Sequence, residues 1–251
     1  STPIKSSAAS DVYKRQLWAC SRHLSKLDFD VLINLHPNER CSFIDAMTSV
    51  KLRTGTTHKI FKWFWDVFTP LDRSMHAADM YLDVLQQLGV QDLSNNGLEI
   101  FPGEEHFLEA ELFWQEQNIT DQDKLIGFNI GSAVPTKRWP PERFAEVADI
   151  FAAKGYKTVF FGGPMDEEMV AEATGYMQTR PIIATGHFAI GGLAAAMRRC
   201  CLIITNDSGP MHVAISQKVP IVAMYGPSNP KLYGPYTKDA VIVTAQPPCQ
   251  G

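Results

Sequence analysis

Three polar turns in the second half of the chain contain residue types that could bind a phosphorylated ligand. In the first, GSAVPTKRWP at 131–140, Gly131 and Ser132 offer backbone N–H groups and a hydroxyl, while Lys137 and Arg138 offer positive charge. Two prolines then begin a helix whose positive end would face the same place. A lone Lys-Arg pair would indicate only a solvated basic turn, but the Gly-Ser turn and the helix start favour a diphosphate site.

The second turn, GGPMDEE at 162–168, places a carboxylate directly after a glycine turn. Gly162 and Gly163 let the chain turn tightly, and Asp166 or Glu167 then lies in the first turn of a helix. Acidic residues there often only complement the helix dipole. A carboxylate at such a strand end also binds ribose hydroxyls in nucleotide-binding sheets. The segment alone leaves both interpretations open.

The third turn, Asp207-Ser208-Gly209, combines a carboxylate with a helix start. The N–H groups of a helix start favour an anion, yet Asp207 beside them would repel phosphate. A role as hydrogen-bond acceptor for sugar hydroxyls explains the Asp207 carboxylate better than phosphate binding does. The alternative role is that of a helix N-cap, where Asn, Asp and Ser are all common. His212 lies four residues after Ser208 on the same helix face and could reach the ligand, although a lone histidine is more often structural.

The elements that must position these turns alternate between short apolar strands and helices. This pattern predicts a doubly wound parallel sheet. Because parallel strands all end at the same edge, the three turns should gather in one cleft. The predicted strands are LIGFNIG at 125–131, KTVFFGG at 157–163, PIIAT at 181–185, CLIIT at 201–205, VPIVAMYG at 219–226 and AVIVT at 240–244.

The first half of the chain shows a weaker version of the same pattern. DVLINLH at 30–36 predicts a buried strand, and helical spacing at 76–88 predicts a helix that ends at Gly89. Residues 91–122 predict a loop-rich connection, so we place the domain boundary there. The predicted divisions are a leader outside the fold at 1–16, a partial first domain at 17–115 and a second domain at 120–251.

The bulk composition favours small-molecule chemistry. The 251 residues carry a formal net charge of -4, which argues against nucleic acid as the main partner. Five cysteines without a CxxC pair indicate reduced thiols. The sequence contains neither a membrane-spanning apolar run nor a signal peptide, so we predict a cytoplasmic protein.

An aromatic block, HKIFKWFWDVF at 58–68, has two interpretations. Trp63, Phe64, Trp65 and Phe68, with lysines nearby, could contact a lipid acceptor or the inner membrane surface. Packing inside the first domain is the favoured alternative, because aromatic side chains are chiefly core material.

The three turns together resemble those of a known enzyme family. GSAVPTKRWP, FFGGPMDEE and TNDSGPMHVAISQKVPIVAMYGPSNPKLYGPY are similar to segments of the lipopolysaccharide heptosyltransferases, glycosyltransferase family nine. DSGPMHVA followed by a GPSNP turn is specific to this resemblance, which covers roughly residues 24–250. The first half matches more weakly, through DVLINLHPNERCSFIDAM and the HAADMYLDVLQQLG helix.

The resemblance implies an α/β fold of the GT-B type, with two Rossmann-like doubly wound domains, the first of them incomplete. The first domain would bind the acceptor and the second a nucleotide sugar. The implied donor is ADP-L-glycero-D-manno-heptose, and the implied acceptor is the Kdo or heptose of the lipid A core at the inner face of the cytoplasmic membrane. Transfer would be inverting, with no metal and no cofactor.

The same resemblance implies roles for individual residues. Lys137 with Ser132 would hold the diphosphate, and Asp166 or Glu167 the adenosine ribose. Asp207 and its neighbours would hold the heptose and phosphate. The expected donor-binding residues are Gly131, Ser132, Lys137, Arg138, Asp166, Glu167, Asp207, Ser208, Gly209 and His212, with Lys137 and Asp207 as the catalytic pair.

One departure from the family pattern concerns the catalytic base. In the family, this base is an aspartate in a glycine-containing loop after the first strand, and no such loop occurs in this sequence. Asp30 and Asp45 are the candidate substitutes, but Asp30 begins a strand and would point away from the cleft. We therefore expect donor binding with little transfer. The alternatives are a sugar-nucleotide epimerase and a non-catalytic nucleotide-sugar-binding protein.

Overall fold

The computed structural model describes residues 7–36, 38–57, 64–70, 72 and 74–244. The chain divides into two compact units between Ser94 and Asn95, inside the segment predicted to be a connection. Residues 95–115, predicted to belong to the first domain, lie in the second unit. The reason is an unpredicted helix at Glu104–Glu116 that packs within that unit.

The first unit contains a small parallel sheet. Its strands, in the described part of the unit, pair in the order β1-β2-β3. Its elements are α1 (Ser7–Lys26), β1 (Val31–Asn34), α2 (Glu39–Met47), β2 (Leu52–Thr57), β3 (Val67–Pro70) and α3 (Ala77–Gln87). Helix α1 packs on α2, and α3 packs on β2 and β3. Residues 7–16 of the predicted leader form the first part of α1, whereas the prediction placed them outside the fold.

The strand β1 lies at the edge of this sheet. The structure confirms a strand within 30–36, at Val31–Asn34, but Val31 and Ile33 are 44% and 45% exposed, so the predicted burial was wrong. A continuous apolar run is typical of a parallel strand covered on both faces. Burial also needs elements to cover both faces. Helix α2 contacts β1 and Leu32 is half-buried, whereas the described residues leave Val31 and Ile33 exposed.

The aromatic block is only partly described. Trp65 is buried, as the favoured core interpretation expects, and Phe64 is largely exposed. Trp63 lies outside the described residues. Among the helices that the structure describes, none is both long enough and apolar enough to span a bilayer.

The second unit is a three-layer α/β domain. Within residues 95–244, six parallel strands form one sheet in the order β6-β5-β4-β7-β8-β9, which confirms the six predicted strands. Its elements are α4 (Glu104–Glu116), β4 (Leu125–Asn129), α5 (Pro141–Ala153), β5 (Lys157–Phe161), α6 (Glu167–Tyr176), β6 (Ile182–Ile183), α7 (Ile190–Met197), β7 (Cys200–Asn206), α8 (Gly209–Ser216), β8 (Ile221–Tyr225), α9 (Pro230–Tyr233) and β9 (Ala240–Thr244).

Each face of the sheet has its own hydrophobic core. Helices α4, α7 and α8 cover one face, and α5 and α6 cover the other. Phe128 and Phe160 stack on the second face with ring centroids 5.1 Å apart. Fully burying such a side chain stabilises a fold by about 1.5–3 kcal/mol, so the second unit can support a rigid site at its edge.

The strand order also fixes where a ligand can bind. The chain runs outward from β4 through β5 to β6, then returns to place β7 on the other side of β4. In open α/β sheets, ligands bind beyond the carboxyl ends of the strands at this reversal. The loops after β4 and β7 are therefore neighbours.

Gly127 lies in the middle of the central strand β4, where a side chain has no room. A Cβ atom there would lie 2.3 Å from Ile203 Cδ1, 3.0 Å from Phe161 Cε2 and 3.3 Å from Cys200 Sγ. Close packing of the sheet against the α4, α7 and α8 layer therefore depends on this glycine.

We expect Gly127→Ala to destabilise the second unit by about 1–3 kcal/mol, the usual cost of overpacking. Urea unfolding followed by tryptophan fluorescence measures it, since Trp114 is buried in the same core. Gly175→Ala is the matched control, because a Cβ there meets nothing within 4 Å. In α6 this change should stabilise by about 0.5–1 kcal/mol. Equal stability of both variants would contradict the packing argument.

Candidate functional site

The candidate site lies where β4 and β7 end side by side. Asn129, the last residue of β4, pairs in register with Thr205 of β7. The chain then continues into the 131–140 turn on one side and into Asp207 and Ser208 on the other. This adjacency places two of the three predicted turns next to each other.

Lys137 and Asp207 form an ion pair across these two turns. The distance from Lys137 Nζ to Asp207 Oδ2 is 2.6 Å. A short 3-10 turn, Pro135–Lys137, presents the lysine. Asp207 is only 5% exposed, and no described group donates a hydrogen bond of regular geometry to its Oδ2. A carboxylate this buried needs a charged partner, and Lys137 supplies it.

The ion pair changes the electrostatics expected for the third turn. An unpaired Asp207 would repel a phosphate, as the sequence suggested. With Lys137 beside it, the carboxylate is neutralised, and an anion can approach the N–H groups of Ser208 and Gly209 at the start of α8. Pro210 has no N–H, and the Met211 N–H donates to the carbonyl oxygen of Ser208. Gly209, the first residue of α8, has open space on the side where a Cβ would lie.

Ser132 and Arg138 hold the 131–140 turn in shape. Arg138 Nε donates to the carbonyl oxygen of Ser132 at 2.8 Å. Ser132 is buried, and its hydroxyl is 3.4 Å from the N–H of Val134. In this structure Arg138 therefore braces the turn through its guanidinium, while Lys137 makes the contact across the cleft.

The Asp166 carboxylate is packed tightly at the end of β4 and β5. It accepts a hydrogen bond from the Gly163 N–H at 2.9 Å. A Cβ at Gly131 would lie 2.2 Å from Asp166 Oδ1, and one at Gly162 would lie 2.9 Å from Asp166 Cβ. Both glycines are thus required for this approach, which joins the first and second turns. The hydrogen bond to Gly163 N–H supports a local structural role for Asp166.

Three further residues were predicted to bind the donor: Glu167, Ser208 and His212. Glu167 is exposed, and its Oε1 would lie 2.9 Å from a Cβ at Gly186, in the loop after β6. Ser208 is the N-cap residue of α8, but its hydroxyl makes no cap hydrogen bond. Instead it accepts from Asn129 Nδ2 at 2.9 Å. His212 is partly buried on α8.

Sequence reasoning missed three residues that organise the site. Asn129 and Asn206 end adjacent strands and are fully buried, and both amides bond across the gap between the turns. An asparagine within a buried apolar strand must have hydrogen-bond partners. This rule could have identified both residues from the sequence. Tyr225 donates to the carbonyl oxygen of Tyr233 at 3.0 Å. Burial, reinforced by the Asp207 carboxylate, raises the pKa of its hydroxyl, so it stays neutral.

A cavity of about 370 Å³ opens beside the ion pair. It lies between the 131–140 turn and the ends of β8 and β9, and Lys137, Trp139 and Tyr225 contribute to its wall. The cluster thus offers a cation, a paired carboxylate, helix N–H groups and an adjoining cavity. Such groups can bind a phosphorylated, hydroxyl-rich ligand. Among the described residues, no group of three or more His, Cys, Asp or Glu side chains could hold a metal ion.

Comparison with known proteins places the chain in a family. The family model for glycosyltransferase family 9 (heptosyltransferase) matches residues 17–251. The lipooligosaccharide heptosyltransferase 2 of Haemophilus ducreyi is 34% identical over 139 residues, which are 52% of this chain and 40% of that protein. The chain spans about two fifths of the length of the first curated relatives it matches.

Two solved structures share the fold of this chain. The crystal structure of the glycosyl transferase family 9 protein from Veillonella parvula is 56% identical and covers 92% of this chain and 67% of that chain, with a TM-score of 0.83. The Escherichia coli ADP-heptose LPS heptosyltransferase II is 23% identical and covers 92% of this chain and 73% of that chain, with a TM-score of 0.72. These likenesses confirm the predicted α/β fold of the GT-B type. Because the family match covers more than half of its residues, the chain belongs to glycosyltransferase family 9, the heptosyltransferase family.

Proposed function

We propose that this chain binds an ADP-heptose-type nucleotide sugar at the carboxyl edge of its second unit, as the donor half of an inverting lipopolysaccharide heptosyltransferase. The observation that carries the proposal is the Lys137–Asp207 ion pair at the strand reversal of a family 9 chain. The neighbouring cavity and the helix start at Gly209 add space and N–H donors. Membership of a transferase family favours glycosyl transfer over the epimerase alternative.

In this proposal Lys137 is the electrostatic catalyst. When the bond between the sugar and the diphosphate breaks, negative charge grows on the leaving group and positive charge on the sugar ring. A fixed cation and helix N–H groups near the departing diphosphate lower the barrier. Asp207, held beside Lys137, accepts hydrogen bonds from sugar hydroxyls and keeps the lysine in place.

The other predicted donor contacts follow from their positions around the pair. Gly131 and Ser132 offer backbone amides to the diphosphate, and Asp166 or Glu167 accepts from the ribose hydroxyls on the β5 side. Asp166 already accepts one N–H bond through Oδ2, so a ribose would use its remaining acceptor sites. The acceptor substrate is the Kdo or heptose of the lipid A core, which implies work at the inner face of the cytoplasmic membrane.

We also propose that this polypeptide lacks the base that activates the acceptor hydroxyl. Two aspartates of the first unit were considered as substitutes, and the first of them, Asp30, forms an exposed ion pair with Lys51. Asp45 is buried and hydrogen-bonded to Asn34 Nδ2. Burial raises the pKa of the Asp45 carboxyl, although the Asn34 amide and the Arg53 guanidinium partly offset this. Neither carboxylate is a free base of the kind that the family uses.

The exposed edge of β1 supports an incomplete first domain. Val31 and Ile33 present apolar side chains, and β1 pairs with β2 along one edge in the described part of the chain. A cavity of about 710 Å³, lined largely by apolar residues, opens beside this strand. Exposed apolar edge strands are uncommon because they pair readily with other strands. A further parallel strand beside β1 would cover both the edge and the cavity.

For donor binding, we expect Lys137→Ala to weaken the affinity for ADP by about 10- to 100-fold, the worth of a charge-assisted hydrogen bond. Isothermal titration calorimetry with ADP measures it. Lys154→Ala is the control, because Lys154 lies after α5, at the opposite edge of the sheet. Equal affinities for Lys137→Ala and wild type would remove the site assignment.

Asp207→Asn should show whether Asp207 contributes to binding of the sugar or of the nucleotide part of the donor. The substitution keeps the shape but removes the charge that accepts sugar hydroxyls, so the affinity for ADP-heptose should fall about tenfold relative to that for ADP. Calorimetry with both ligands on the same variant gives the ratio. If ADP and ADP-heptose lose affinity equally, Asp207 does not contact the sugar.

Transfer by this polypeptide should be slower than that of the Veillonella parvula relative by about 100-fold or more, the usual contribution of a positioned base. Release of ADP from ADP-heptose with a Kdo-lipid A acceptor measures the rate. Turnover comparable with the relative would contradict the missing base. Residual turnover that Asp45→Asn abolishes would identify Asp45 as the base and also contradict it.

A further inference from the structure

Asn206 is a buried residue whose two amide atoms both bind the ends of the turn that carries Lys137. It is the last residue of β7 and has no exposed surface. Its Nδ2 donates to the carbonyl oxygen of Ile130 at 2.7 Å. Its Oδ1 accepts from the N–H of Trp139 at 2.9 Å. One side chain therefore fixes the start and the end of the 131–138 segment.

The rest of the turn is braced internally. The Lys137 N–H bonds to the carbonyl oxygen of Val134, and Arg138 bonds to Ser132. These contacts keep the turn compact but do not fix it relative to β7. The amide of Asn206 does so, and in β7 it is the residue directly before Asp207.

We propose that Asn206 is a positioning residue, which sets the Lys137 ammonium against Asp207 and against the bound donor. It touches neither the donor nor the reacting atoms. It acts through the turn. The end of β7 carries both the Asn206 clamp, meaning its hydrogen bonds to Ile130 and Trp139, and the Asp207 carboxylate, which lies 2.6 Å from Lys137 Nζ. The inference rests on the proposed donor site and adds to it the residue that holds the cation in place.

A purely structural role is the alternative for a buried asparagine. Loss of two buried hydrogen bonds destabilises any fold, whatever they hold in place. The two roles differ in their coupling to Lys137. If Asn206 acts by placing Lys137, then removing it should cost little affinity once the ammonium is absent, because coupled residues are not additive.

The test is a double-mutant cycle on ADP affinity, measured by calorimetry on the full chain. Asn206→Ala should weaken ADP binding about tenfold. In the Lys137→Ala background, the same substitution should change the affinity by less than about twofold. Equal losses in the two backgrounds would overturn the positioning role and leave Asn206 a structural residue.

Ser216→Ala provides a matched control for lost stability. Ser216 is buried in the same unit, and its hydroxyl bonds to the carbonyl oxygen of Val213 at 2.6 Å, at the far end of α8. This variant should lose stability without losing ADP affinity. If it weakens ADP binding as much as Asn206→Ala does, general destabilisation explains the effect and the proposal fails.

Asn206→Asp is a gentler second variant if the alanine variant does not fold. It keeps the size and the acceptor for the Trp139 N–H but cannot donate to Ile130 when ionised. We expect a loss of ADP affinity that again disappears in the Lys137→Ala background. An additive loss would overturn the proposal.

Amide hydrogen exchange on the wild-type chain tests the clamp without any variant. The Trp139 amide should exchange more slowly than the amides of the exposed residues Ala133 and Thr136, because it bonds to Asn206. Exchange as fast as in those neighbours would show that the clamp is absent. If Lys137→Ala leaves ADP affinity unchanged, the proposed donor site fails. If Lys137→Ala weakens ADP binding and the Asn206 effects are additive, the donor site stands and only the positioning role of Asn206 is overturned.

Discussion

A carboxylate that is almost entirely buried at the end of β7 is the constraint on which the site depends. Lys137 lies 2.6 Å from Asp207 and supplies the opposite charge that a buried carboxylate needs. Removing one partner from a buried pair typically costs about 3–5 kcal/mol, because the other charge is left without compensation. The turn after β4 must therefore stay close to the end of β7. That requirement is met by placing β4 and β7 as neighbours at the reversal of the strand order.

The two carboxylates of the site, those of Asp207 and Asp166, are stabilised by different contacts. Asp207 is neutralised by a cation, whereas Asp166 is held by the Gly163 N–H and by close packing against Gly131. Both arrangements reduce the repulsion that an incoming diphosphate would meet. The candidate site can therefore contain acceptors for hydroxyl groups and still bind phosphates. A site for a nucleotide sugar would need both. The overall net charge of -4 gives no hint of this local balance.

The sequence predicts most of the second unit because its strands are short apolar runs that end in glycine or asparagine turns. Helix α4 was missed for a physical reason: its sequence EEHFLEAELFWQE is acidic and follows the turn signals of Asn96-Gly97 and Pro102-Gly103. Its helix is stabilised by packing on α7, where Gly191 and Gly192 let it approach closely. Long-range packing of this kind cannot be read from local periodicity. The roles of the two buried asparagines depend on strand register, which the sequence does not show.

The two units differ in how far their own residues can bury their apolar surface. The second unit covers both faces of its sheet and forms two cores, so its edge loops rest on a rigid base. In the first unit, the strand β1 keeps Val31 and Ile33 largely exposed. Precise placement of charges needs a rigid scaffold, since small displacements in a binding site cost much of its affinity. The covered sheet of the second unit therefore gives the Lys137–Asp207 pair a more rigid base than the sheet of the first unit could provide.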